Sequence, residues 1–146
     1  MTPNLRGNHR AILASINTTN LDQILLRVEI GRLVDGVRCD PHKYGDDAVD
    51  LLADALERPA SELYWCQSVF VCYPEAQLAA LLKRRMANGR ILSFNHLAWL
   101  SLVRKFESRQ ELSERVFAES MPASVLANEV LAMIPIDRSR GNRRSE

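Results

Sequence analysis

The chain has 146 residues, 47% of them apolar and 25% charged, with a formal net charge of +1. That length suits one domain with its own core, and that balance excludes a disordered chain. No apolar run approaches the ~20 residues that would cross a membrane.

Helical periodicity dominates from end to end and strand alternation is scarce, which predicts an all-α bundle of about six or seven helices. The opening MTPNLRGNHR reads as a loose terminus without the apolar core of a signal peptide, so a cytoplasmic protein is expected. Ala11 to Ile16 predicts a short helix, ended by Asn17-Thr18-Thr19-Asn20. Asn20 then caps a helix through Asp35, with Leu21, Ile24, Leu25, Val28 and Leu33 as its buried stripe and Gly36 at its end. A loop containing Pro41 leads to a helix opened by Gly45 and Asp46. Ala48, Leu51, Leu52, Ala55 and Leu56 are its apolar positions.

Arg58 and Pro59 break that helix, and the next runs to Tyr73. Pro74 starts a helix that carries Leu78, Leu81, Leu82 and Met86 inward and stops at Asn88-Gly89. Ser93 caps a segment from Phe94 to Phe106, and Ser108-x-x-Glu111 has the form of a capping box for a helix to Glu119. A last helix, with Pro122 just inside its start, ends before Pro135. Residues 1–136 are thus read as one domain and 137–146 as a flexible Arg-rich tail, with no internal repeat or coiled-coil heptad.

Charge is unevenly spread. Residues 38–64 hold three basic against seven acidic residues, whereas residues 74–120 hold eight basic against five acidic. A polyanion would therefore approach the second half. Lys83, Arg84, Arg85, Arg90, Arg104 and Lys105 form its densest basic group. If the helices ending at Asn88 and Phe106 pack antiparallel, some of these converge on one face and contact phosphate. The alternative is ordinary cationic residues at helix C-termini.

Residues 48–73 read as helix, tight break, helix. Leu52, Ala53 and Leu56 fit the packing side of the first helix; Leu63, Phe70 and Tyr73 fit that of the second. If the pair is a DNA-binding helix–turn–helix, Ser61, Glu62 and Gln67 are placed to meet bases. The second helix holds no Lys or Arg, and its stripe of Trp65, Val69 and Cys72 suits a protein interface instead.

Across residues 25–130 the chain resembles a helical N-terminal module of bacterial proteins that end in a PD-(D/E)xK nuclease domain. The matching elements are Ile30-Gly31-Arg32, Tyr44-Gly45, Leu52-Ala53, Leu56, Ser61-x-Leu63, Phe70-x-x-Tyr73-Pro74 and Ser93-x-x-His96-Leu97 with Leu100. Tyr44 to Pro74 also resembles the helix–turn–helix of ParB-type partition proteins. The resemblance implies DNA recognition, or assembly within a restriction-like defence or mobile-element system.

Double-stranded DNA and a protein partner, itself included, are accordingly both open as partners, and a membrane is not. No acid–base, metal or phosphate-loop constellation emerges, so no enzyme activity and no cofactor are expected. Cys39-x-x-His42 has a zinc-like spacing but no second ligand pair follows, and Cys66 and Cys72 read as structural thiols. His96 reads as a satisfied, semi-buried histidine.

Overall fold

A computed structural model describes residues 3–134, and side chains from Arg6 onward. The expected Arg-rich tail lies outside the described residues. Eight helices and no strand occur among them: α1 (Pro3–Cys39), α2 (Pro41–Tyr44), α3 (Ala48–Leu56), α4 (Ala60–Cys72), α5 (Glu75–Lys83), α6 (Phe94–Ser101), α7 (Phe106–Glu119) and α8 (Ala123–Met133). The all-α expectation holds, with α2 a single extra turn.

The largest departure is α1. In place of a loose terminus, a short helix and a break, one helix runs unbroken for 37 residues, about 55 Å at 1.5 Å per residue. The polar cluster does not end it, because its side chains are used without competing for the helical backbone. Thr18 Oγ1 bonds back to the Ala14 carbonyl at 3.0 Å. The Asn17 amide reaches out of the helix, donating to the Gly89 carbonyl (3.1 Å) and accepting from the Ile91 N–H (3.0 Å). Asn17 therefore ties α1 to the segment after α5, seventy-two residues away in sequence.

The buried face of α1 is also rotated from the predicted one. Ile24, Ile30, Gly31 and Val34 are buried and Leu21 and Val28 half-buried, whereas Leu25 and Leu33 face solvent. The pivot is Gly31, where α4 crosses so closely that a Cβ would lie 2.2 Å from the Cys66 carbonyl oxygen and 2.9 Å from the Phe70 Cβ. Only glycine fits such a backbone approach.

Helices α3 and α4 are joined by the three-residue turn Glu57–Pro59. Glu57 adopts the left-handed conformation (φ 56, ψ 43), and Arg58 N–H bonds the Ala53 carbonyl. Pro59 precedes α4 in extended geometry, where its missing N–H costs nothing. Val49 and Ala53 are the buried positions of α3, while Leu51 and Leu56 are exposed. Helix α6 lies against α1, α4, α7 and α8, with Leu97 and Leu100 fully buried.

Helix α5 ends at Lys83, five residues before the expected Asn88-Gly89 stop. Residues 84–93 continue as irregular chain, anchored by Met86 N–H to the Arg90 carbonyl and Ala87 N–H to the Phe117 carbonyl. The Ser108 capping box does not form, because α7 already starts at Phe106 and Ser108 lies within it. The Ser93 cap does form, with His96 completing the box.

Candidate interaction surfaces

The second helix of the helix–turn–helix-like pair, α4, is an internal element. Its Leu63, Cys66 and Val69 are fully buried between α1 and α6. Val69 therefore cannot belong to a contact stripe. Trp65 and Cys72 are half-buried against the same core, and Trp65 packs on Trp99 with ring centroids 5.4 Å apart. Burial raises the Cys72 thiol's pKa, with Arg109 opposing, and burial and Glu62 push that of Cys66 to about 11. Both stay protonated near neutral pH. Cys39 is exposed, and among the described residues no three His, Cys, Asp or Glu side chains gather as metal ligands.

The three residues suited to meeting bases have different fates. Ser61 is exposed. Glu62 accepts from Arg58 at 2.5 Å and lies 3.3 Å from Arg27 Nε, so two guanidinium groups already hold its carboxylate. Gln67 donates to Asp35 at 3.1 Å and accepts from Arg38, which also lies over the Tyr64 ring. Glu62 and Gln67 thus join α4 to α1 and to the turn before it. The exposed residues of α4 are Ser61, Tyr64 and Val71, none of them cationic.

Arg84 and the Arg104–Lys105 pair line different clefts, the first between α5 and α7 and the second beside Ser68 and Ile134. Arg84 pairs with Glu114 at 2.6 Å and stacks over Phe117 at 4.0 Å, well along α7. Arg104 and Lys105 immediately precede Phe106, at the start of α7. Eight residues of helix, about 12 Å, separate that start from Glu114. Lys83, Arg85 and Arg90 are exposed and have no carboxylate partner among the described residues. Arg85 lines one cleft with Arg10 of α1, a residue that sequence reading placed in a loose terminus.

His96 is buried and doubly satisfied. Its Nδ1 accepts from the Ser93 N–H (3.0 Å), and its Nε2 lies 2.7 Å from the Met121 carbonyl, which requires the Nε2–H tautomer. Burial lowers its pKa, which Arg90 reinforces and the Met121 carbonyl opposes. The ring is a structural pin between α6 and the turn before α8.

The surface that sequence reading missed is the outer side of α1. Ile12 is 61% exposed, Leu25 52%, Leu26 47% and Leu33 41%. Once the helix is continuous, residues 12, 16, 19, 23, 26, 30, 33 and 37 follow an alternating four–three spacing that is apolar at six of eight positions. Ile30 turns inward, and Thr19 and Gln23 interrupt the middle. The signal was in the sequence, but reading Asn17–Asn20 as a break cut it in two.

Comparison with protein-family models, curated proteins and solved structures found no match to this chain.

Proposed function

We propose that this chain is a non-catalytic helical interaction module, and that it meets a helix of another protein along the outer face of α1. The observation that carries this reading is the row of exposed Ile12, Leu26 and Leu33 on one long helix. Large apolar side chains spaced for helix–helix contact are the usual anchors of such surfaces. Ile24, Ile30, Gly31 and Val34 already serve the domain's own core, and Ile12, Leu26 and Leu33 have no intramolecular role among the described residues. The doubly bonded His96 supports a non-catalytic reading, since neither ring nitrogen is available to a substrate.

The test compares two baits made from the whole chain, wild type and the double variant Ile12→Glu/Leu26→Glu. Proteins retained by the wild type should be lost from the variant. They should still be retained by an Arg85→Glu/Arg90→Glu bait. Identical retention by all three would remove the outer face of α1 from the reading.

A second reading is non-specific binding of duplex DNA through Arg10, Lys83, Arg85 and Arg90. Their exposure and lack of carboxylate partners among the described residues favour it. So does the resemblance to the nuclease-associated bacterial module, which would set the chain in a restriction-like or mobile-element system. Phosphate contacts need no recognition helix, so an internal α4 does not count against this mode. Anisotropy of a labelled mixed-sequence duplex at about 50 and 200 mM salt tests it, because phosphate-driven affinity falls steeply over that range. Salt-sensitive binding lost in Arg85→Glu/Arg90→Glu is the expected result; binding unchanged by that variant ends this reading.

A further inference from the structure

Between α5 and α7 lies a cleft of about 290 Å³. Its apolar wall is Ala80, Leu81 and the half-exposed Phe106. One end holds Tyr73 and Arg109, and the other is closed by the Arg84–Glu114 pair. Two observations at the Tyr73 end ask for an explanation.

The first is the Tyr73 hydroxyl. Tyr73 is only 5% exposed, and its oxygen is buried with no hydrogen-bond partner among the described residues. Buried hydroxyl groups are nearly always bonded, because losing water without a replacement is costly. The second is Arg109, whose guanidinium lies 5.6 Å from both the Tyr73 and the Phe106 ring centroids. One of its nitrogens donates to the Val103 carbonyl at 3.0 Å, which fixes the group in place. A guanidinium has five N–H donors, so this one contact leaves most of its donor capacity available. Gln77 and Gln110 add amide groups to the lining.

We infer that this cleft is a binding site for a small carboxylate with an apolar body. Arg109 supplies the charge and the Tyr73 hydroxyl a second donor, and Leu81 and Phe106 hold the hydrocarbon. The guanidinium fork matches the two oxygens of a carboxylate, and the flanking rings limit its hydration, which strengthens the pair. The lining carries two arginines against one glutamate, a net charge of +1 that suits a monoanion. The volume lies near the lower limit for small-molecule pockets and restricts the ligand to roughly the size of phenylacetate or octanoate. Burial raises the Tyr73 pKa well above that of a free phenol, so the hydroxyl keeps its proton and remains a donor at any physiological pH. This site is independent of the outer face of α1 and of the duplex-binding reading.

The experiment is a two-dimensional amide NMR titration of the whole chain with phenylacetate, octanoate and, as the uncharged counterpart, phenylacetamide. Either carboxylate should shift amides at Tyr73, Leu81, Phe106, Arg109 and Gln110, with phenylacetamide at least tenfold weaker. Arg109→Gln should weaken carboxylate binding at least tenfold. Tyr73→Phe, which removes one oxygen and keeps the ring, should weaken it severalfold and raise the melting temperature of the free protein by relieving the unbonded hydroxyl. The inference is overturned if neither carboxylate shifts these amides, if phenylacetamide binds equally well, or if affinity is unchanged in both variants. A higher melting temperature in Tyr73→Phe with unaltered carboxylate affinity also overturns it, since the hydroxyl would then be only a packing cost.

Discussion

The two sides of α1 obey different rules. Toward α4, the surface is flat and closely fitted: Gly31 lets the backbone of Cys66 into van der Waals contact, and Ile24 and Val34 on either side are fully buried. Away from α4, the same helix presents Ile12, Leu25, Leu26 and Leu33 to solvent, although these are larger and more apolar than the residue at the centre of the packed side. Hydrophobicity alone therefore does not say which side of this helix is core. Shape does, since a close helix crossing needs a small residue and a broad row of leucines cannot supply one.

The inner side should be the more fragile by far. Gly31→Ala puts a methyl group where the Cys66 carbonyl oxygen now lies, so one helix must shift away from the other. Overpacking at such a crossing is expected to cost about 3 kcal/mol or more, read as a lower midpoint in urea unfolding. A Gly31→Ala protein as stable as the wild type would mean that the crossing is loose and the contrast between the two sides is false.

Next in size is the tie from α1 to the segment after α5. Asn17→Leu keeps an acceptable helix former but leaves the Gly89 carbonyl and Ile91 N–H without partners. Two partly buried backbone groups left unbonded should cost about 2 kcal/mol. The loss should be accompanied by faster amide exchange at Ile91, which separates it from a simple change in helix propensity. Unaltered exchange at Ile91 would show that Asn17 is not what holds this half of α1 to the domain.

A smaller effect, confined to acid, tests the other end of the fold. His96 is buried neutral with a pKa below its ordinary value, while in the unfolded chain it titrates near 6.5. Above about pH 6.5 it is neutral in both states and contributes no pH dependence. As pH falls through that value the unfolded state takes up a proton that the folded state resists, so stability declines until the folded pKa is reached. Urea midpoints at pH 7.5 and 5.5 measure this, and His96→Gln should flatten the difference. An equally steep decline in the variant would assign it to other groups.

Much of the architecture was legible in the sequence, and the failures share a cause. Ser93, Pro59, Pro74 and Pro122 all mark helix starts to within a residue, because capping and proline geometry are local. Asn17 misleads because its partners are distant: a residue that breaks helices through local bonds does not do so when Gly89 and Ile91 engage it instead. Glu62 and Gln67 illustrate the same point at the candidate site. They are polar, well placed on α4 and plausible base readers by position, yet Arg27, Arg58, Asp35 and Arg38 occupy them. Nothing within their own helix announces those partners. The exposed row on α1 became visible only when the helix was seen to be continuous.

The smallest effect on stability belongs to the outer side, and it is the most informative about function. Ile12→Glu/Leu26→Glu places two carboxylates at positions already more than two-fifths exposed, and glutamate is a better helix former than isoleucine. The folded monomer loses little packing, so its stability should stay within about 0.5 kcal/mol of wild type. A loss well beyond that would mean that these side chains are covered in solution. Repeating the unfolding over a tenfold range of protein concentration then identifies the cover. A midpoint that rises with concentration points to a second copy of the chain, because association stabilises by mass action. A constant midpoint points to packing within one chain and withdraws α1's outer side as a surface for partners. With stability unchanged, the loss of a bound partner in the same variant can be assigned to contact, since the fold that presents the helix is intact.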